Sequence, residues 1–178
     1  MNSKKIVIVA SECQPFFASG GLGDVIGSLP QKIAKLVSPE ENQVSVILPL
    51  YSKFTNNKYR NKLVYIGETT VQLSWRRQYC GIYRYIEKGV TYYFLDNEYY
   101  FKHNNYYGYF NDGERFAFFS KAAIEVMAHL DIIPDIIHAH DWQTGLVPVY
   151  LRTIYYGDER FKNVRTVFTV HNIEYQGK

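Results

Sequence analysis

The sequence predicts an α/β fold: a Rossmann-like parallel sheet with flanking helices, interrupted by a β-hairpin excursion. Two patterns predict it. Short runs that are apolar on both faces occur at residues 5–11 (KIVIVAS), 43–48 (QVSVIL), 135–140 (DIIHAH) and 164–170 (VRTVFTV), as in strands covered on both sides. Between them lie stretches with apolar residues at helical spacing, so strands and helices alternate as they do in βαβ units.

Taken in order, the run at 5–11 leads into a loop from Glu12 to about Leu22 that holds Pro15 and Gly20-Gly21. Residues 23–37 form the first helix, because Val25, Ile26, Leu29, Ile33, Ala34 and Val37 fall near one stripe. Pro30 inside that stripe predicts a kink or a restart, since proline has no N–H for the helical ladder. The strand at 43–48 is stopped by Pro49. From Tyr51 to Phe110 the period changes to two (Val64, Ile66; Val71, Leu73, Trp75; Ile82, Tyr83, Tyr85), which predicts β-hairpins. Glu87-Lys88-Gly89 is the turn into a strand at 90–95, VTYYFL, and the Asn- and Tyr-rich residues 96–113 read as a loop. Residues 114–130 form a strong amphipathic helix. Another helix, at 144–156, begins near Asp141 and stops at Gly157.

With 178 residues, 47% of them hydrophobic, the chain can bury one sizeable core as a single domain. Its net charge of +3 is spread without a basic run, so neither nucleic acid nor a membrane surface is an expected partner. The apolar run at residues 6–10 is too short for a signal peptide, and no stretch is long enough to span a bilayer. Cys13 and Cys80 form no Cys-x-x-Cys motif and read as free thiols of a reducing compartment, hence a cytoplasmic location. The 17 tyrosines and 11 phenylalanines suit sugar stacking. The same counts also fit a compositional bias shared with Asn, Lys and Ile.

In open α/β sheets, ligands bind beyond the carboxyl ends of the strands. Three of those ends are polar here. The first leads to Gly20, Gly21, Gly23 and Asp24, the third to His138-Ala139-His140-Asp141-Trp142, and the fourth to His171-Asn172. Glycines allow close backbone approach, and free N–H groups at a helix start can hold a diphosphate. An ordinary Gly-rich turn is the plainer alternative. Gly21, Gly23 and Gly27 echo a dinucleotide fingerprint. They stand well past the end of the strand, however, and no acidic residue after Leu48 is placed to hold a ribose. His138-x-His140-Asp141 could begin a zinc site of a metal-dependent hydrolase, with His171 as one further ligand, if the ligand set were complete. Asp141 could cap the following helix, worth about 1 kcal/mol, or accept from sugar hydroxyls. His171 could be a satisfied structural residue or, with Asn172 and Tyr175, a cleft edge.

Five blocks, in order along the whole chain, resemble bacterial glycogen synthases and plant starch synthases. They are Ser11-Glu12-Cys13-Gln14-Pro15-Phe16, Gly20-Gly21-Leu22-Gly23-Asp24-Val25-Ile26-Gly27-Ser28-Leu29-Pro30, Glu114-Arg115-Phe116-Ala117-Phe118-Phe119, His138-Ala139-His140-Asp141-Trp142-Gln143-Thr144-Gly145 and Thr169-Val170-His171-Asn172-Ile173-Glu174-Tyr175-Gln176-Gly177. The resemblance implies the N-terminal, acceptor-side domain of a two-domain glycosyltransferase B fold. It implies retaining transfer of glucose from ADP-glucose to the non-reducing end of an α-1,4-glucan, with no metal or other cofactor. It also implies that Gly20, Gly21 and Gly23, with Asp24, meet the nucleotide sugar and that His171 and Asp141 act in the catalytic cleft. Asn172 would lie at the cleft edge, and Tyr107 would face the acceptor. Where the family motif begins Lys-Thr-Gly-Gly, this chain has Ala18-Ser19-Gly20-Gly21. The missing lysine removes a charge-assisted contact worth roughly 1.5–3 kcal/mol. Family members continue far beyond the last block into a donor-binding C-terminal domain. A longer enzyme is therefore expected, with residues 1–178 inactive alone. A stand-alone glucan-binding module is the competing expectation outside enzymology.

Overall fold

The computed structural model describes residues 4–37, 43–175 and 177, so Gln176 of the last motif lies outside the described residues. Seven strands form one sheet: β1 (Ile6–Val9), β2 (Val44–Pro49), β3 (Val64–Leu73), β4 (Arg76–Glu87), β5 (Val90–Asp96), β6 (Ile136–His140) and β7 (Arg165–Thr169). Their order is β3-β4-β5-β2-β1-β6-β7. The helices are α1 (Gly21–Val37), α2 (Asn57–Arg60), α3 (Glu98–Phe101), α4 (Asp112–His129) and α5 (Leu146–Thr153). Strands β5, β2, β1, β6 and β7 run parallel, and β3 and β4 add an antiparallel extension.

The α/β architecture is the expected one, with a difference at the excursion. Residues 90–95 read as the return strand of a hairpin. In the structure β5 pairs antiparallel with β4 and also parallel with β2, with Val44 opposite Val90. The excursion is therefore part of the main sheet. Its burial fits that position: residues 90–95 are all buried, as is every residue of β2. The expected loop after β5 contains the short helix α3, whose start is capped by the Asn97 side chain accepting from the Tyr100 N–H.

α1 runs through Pro30 without a restart. Proline leaves the carbonyl of Ile26 without its helical donor, and the buried Cys13 thiol approaches that carbonyl at 3.4 Å. A Cβ on Gly27 would come within 2.8 Å of the Gln14 carbonyl oxygen, so only glycine lets α1 lie this close to the loop after β1.

Much of the tyrosine excess serves the core. Phe16 meets Tyr59, Tyr85, Tyr92 and Phe94 edge-on at centroid distances from 4.9 to 5.7 Å, pairs worth about 0.5–1.5 kcal/mol each beyond their burial. Tyr51, Tyr92 and Tyr100 are buried as well.

Candidate active site

The carboxyl ends of β1, β6 and β7 open on a cleft of about 1150 Å³. One wall is the loop between β1 and α1. Glu12 follows the buried end of β1 and is 3% exposed. Its carboxylate accepts from the Ser19 N–H, from Ser19 Oγ (2.8 Å), from the Gly20 N–H (3.2 Å) and from the Tyr107 hydroxyl (2.6 Å). Ser11 Oγ lies 2.9 Å from the same hydroxyl. Burial, followed by the nearby Tyr51 and Glu12, pushes the Tyr107 phenol far above its usual range, so it stays protonated and donates. The segment carrying Tyr107 is itself anchored. Asp112 accepts from the N–H groups of Gly108 and Tyr109, and the fully buried Arg115 binds Asp112 and the carbonyls of Tyr100 and Tyr106.

The second wall is built on β6 and β7. Asp141 follows β6 with φ 58° and ψ 177°, a conformation that L side chains adopt only under constraint. The constraint is visible on both sides of the residue. The Asp141 N–H donates to the Thr169 carbonyl at 2.9 Å, and its Oδ1 accepts from the His171 N–H at 2.6 Å. The side chain thus ties the ends of β6 and β7 together and does not cap the next helix, which corrects the capping alternative. That helix opens as a 3₁₀ turn at Trp142–Thr144 before α5. Trp142 packs edge-on against Phe116 (5.0 Å) and Tyr107 (6.0 Å), linking the two walls. His140 Nδ1 lies 2.9 Å from His171 Nε2, and His138 Nε2 lies 2.8 Å from Thr169 Oγ1. Burial, with His138 and His171 adding repulsion, holds His140 down at about 3, so it is neutral.

Of the residues expected from sequence, Gly20, Gly21, Tyr107, Asp141, His171 and Asn172 line this one cleft. Gly23 and Asp24 do not. Gly23 is buried against Ala18, where an added Cβ would sit 2.2 Å from the Ala18 Cβ. Asp24 is exposed on the first turn of α1, where a carboxylate complements the helix dipole. The amides expected to hold a diphosphate are also partly engaged: those of Ser19 and Gly20 face Glu12. His138, His140 and Asp141 do not assemble a metal centre. Their polar atoms bond to Thr169 and His171, and among the described residues no three His, Cys, Asp or Glu side chains converge as ligands. Sequence reasoning passed over Glu12 and Arg115. Glu12 carried a signal, an acidic residue directly after a buried parallel strand. Arg115 carried none in the helix periodicity, which reads only as amphipathic, and its one signal is its place in the Glu114–Phe119 block.

Among the described lining residues are the acids Glu12, Asp112, Asp141 and Glu174, with the aromatics Tyr107, Tyr109, Trp142 and Tyr175, and no lysine or arginine. Carboxylates and phenols accept from hydroxyls, and rings stack on sugar C–H faces. The wall therefore suits a neutral polyol better than an anion.

Comparison with known proteins points the same way. Residues 5–178 match the family model described as the starch synthase catalytic domain. The chain is 45% identical over 174 residues to the glycogen synthase of Lactobacillus acidophilus, covering 98% of this chain and 36% of that protein. It is 48% identical over 172 residues to the glycogen synthase of Halalkalibacterium halodurans, covering 97% of this chain and 34% of that protein. The catalytic domain of starch synthase IV from Arabidopsis thaliana, bound to ADP and acarbose, superposes with a TM-score of 0.85 at 28% identity, over 99% of this chain and 35% of that one. The chain spans about a third of the length of these relatives.

Proposed function

Because this chain belongs to the starch synthase catalytic-domain family, we propose that it forms one wall of a glucosyltransferase that moves glucose from ADP-glucose to the non-reducing end of an α-1,4-glucan with retention. The observation that carries the reading is the convergence of the glycine loop, Tyr107, Asp141, His171 and Asn172 on one acid-rich, aromatic cleft without a described cation. Hydroxyl-rich sugars are the ligands such a surface recognises. The diphosphate of the donor needs positive charge, and Ala18 leaves this wall without the family lysine. The remaining helix-start amides of Gly21 and Leu22 supply part of that field, and a second domain supplies the rest.

In this proposal His171 and Asp141 support the reacting glucose and Tyr107 faces the acceptor. Closure of the second domain excludes water, which would otherwise compete as acceptor. The field at the phosphates comes from protein dipoles and side chains without a resident metal or cofactor. A cytoplasmic site of action fits the two buried, unpaired cysteines.

The test is transfer itself. Given ADP-glucose and glycogen, the 178-residue chain alone is expected to transfer no glucose. Fused to the remaining two-thirds of the L. acidophilus relative, it is expected to become active, and His171→Ala in the fusion to abolish that activity. Transfer by the chain alone would remove the need for a second domain. A folded fusion without transfer, or one indifferent to His171→Ala, would overturn the assignment.

A further inference from the structure

The histidines of β6 that assemble no metal centre form a chain of contacts leading to His171. His140 is 1% exposed. Its ring lies against His138, with centroids 4.0 Å apart, and nearly parallel to His171, with planes 11° apart. Its Nδ1 is 2.9 Å from His171 Nε2, while its Nε2 is buried and has no partner among the described residues. Burial and the neighbouring imidazoles keep His140 neutral, so the ring carries a single proton. On Nε2 that proton would be a buried donor without an acceptor, the costlier way to leave a polar atom unpaired. On Nδ1 it has an acceptor at hydrogen-bonding distance. His140 therefore donates, and His171 Nε2 must offer a lone pair. The single proton of a neutral His171 is then left on Nδ1, the ring nitrogen not engaged by His140.

We propose that His140 is a positioning residue that fixes neutral His171 as its Nδ1–H tautomer, so that the free ring nitrogen of His171 meets the bound sugar as a hydrogen-bond donor. The consequence for transfer is electrostatic. Positive charge develops on the glucose as its bond to the diphosphate breaks. An imidazolium beside it would oppose that charge with a full unit, and the N–H dipole of a neutral ring opposes it far less. His138, hydrogen-bonded to Thr169, holds one face of His140, and Asp141 holds the His171 backbone. The geometry is thus fixed from β6 and β7 together. The use made of the donor rests on the synthase reading; the tautomer assignment does not.

Long-range proton–nitrogen NMR of the chain with labelled histidine decides it. In the unmodified chain His171 should give a pyrrole-type signal at Nδ1 and a pyridine-type signal at Nε2, and His140 should carry its proton on Nδ1. A His171 proton on Nε2 overturns the proposal whatever the variants do. His140→Leu should release His171 to the Nε2–H form, and His140→Asn, whose amide N–H takes the place of Nδ1–H, should return it. A His171 that keeps the Nδ1–H form in folded His140→Leu would show that His140 is not its cause. In the active fusion, His140→Leu should lower kcat about tenfold or more with KM for glycogen little changed, and His140→Asn should recover part of it. An unchanged kcat would refute the catalytic use of the tautomer. An inactive fusion with the expected NMR signature would instead sink the synthase reading alone.

Discussion

The two walls of the cleft handle their buried polar groups differently. On the glycine-loop wall, Glu12 receives four donors from Ser19, Gly20 and Tyr107. On the histidine wall, His140 Nε2 and Gln143 Oε1 are buried with no partner among the described residues. The Glu12 network is set before any ligand arrives, although Arg115 Nη2 behind it is buried without a partner among the described residues. The unmatched group that titrates is His140, so protonation state matters more on the histidine wall. The contrast predicts that the first wall fails by mutation and the second by change of pH.

The largest effect should come from Glu12→Ala, which leaves the Tyr107 hydroxyl and the loop amides without their acceptor. A loss of about 3 kcal/mol in urea denaturation is expected, and a loss below about 1 kcal/mol would mean that the loop holds its shape without the carboxylate. Gly23→Ala should follow at about 2–3 kcal/mol, because the new methyl meets Ala18 at 2.2 Å. Ala18→Gly in the same chain should restore most of it, and no restoration would point to a different contact. The histidine wall should answer to acid. The folded His140 titrates at about 3 against roughly 6.5 when unfolded. Its contribution is whole above the unfolded value and is lost as pH falls toward 3, since only the unfolded chain takes up the proton. Between pH 7 and 5 the chain should lose about 2 kcal/mol. His103 and His138, both lowered chiefly by burial, push in the same direction. His140→Leu should flatten that slope, and an unchanged slope would assign it to the other two. The smallest effect is expected for Gly20→Ala, where a methyl meets nothing within 4 Å. Thermal denaturation should move by less than about 0.5 kcal/mol, and a larger loss would mean that the exposed part of the loop is as tightly packed as Gly23.

How much of this was legible in the sequence follows from what each pattern encodes. Two-sided apolar runs identified buried strands, and the polar residues after three of them located the cleft. Periodicity does not name a strand's neighbours, so residues 90–95 read as a hairpin arm although β5 pairs with β2 as well. From sequence, the Asp141 side chain reads as a helix cap or as an acceptor for sugar hydroxyls. Its partner within the chain, the His171 N–H, lies 30 residues away and becomes a neighbour only when β6 and β7 pair. Pro30 predicts a kink or a restart, and α1 makes no restart; the thiol that approaches the freed Ile26 carbonyl comes from Cys13, outside the helix, where helical periodicity cannot show it.

That thiol has a practical use. Cys13 and Cys80 are both fully buried, and burial raises both, Cys80 to about 12, so neither presents a thiolate to a reagent. Alkylation can proceed only when the surrounding structure opens. Cys13 lies between β1 and α1, and Cys80 on β4, across the sheet. Timed labelling of the two would report separately on the parting of the loop from its helix and of the antiparallel extension from the parallel strands.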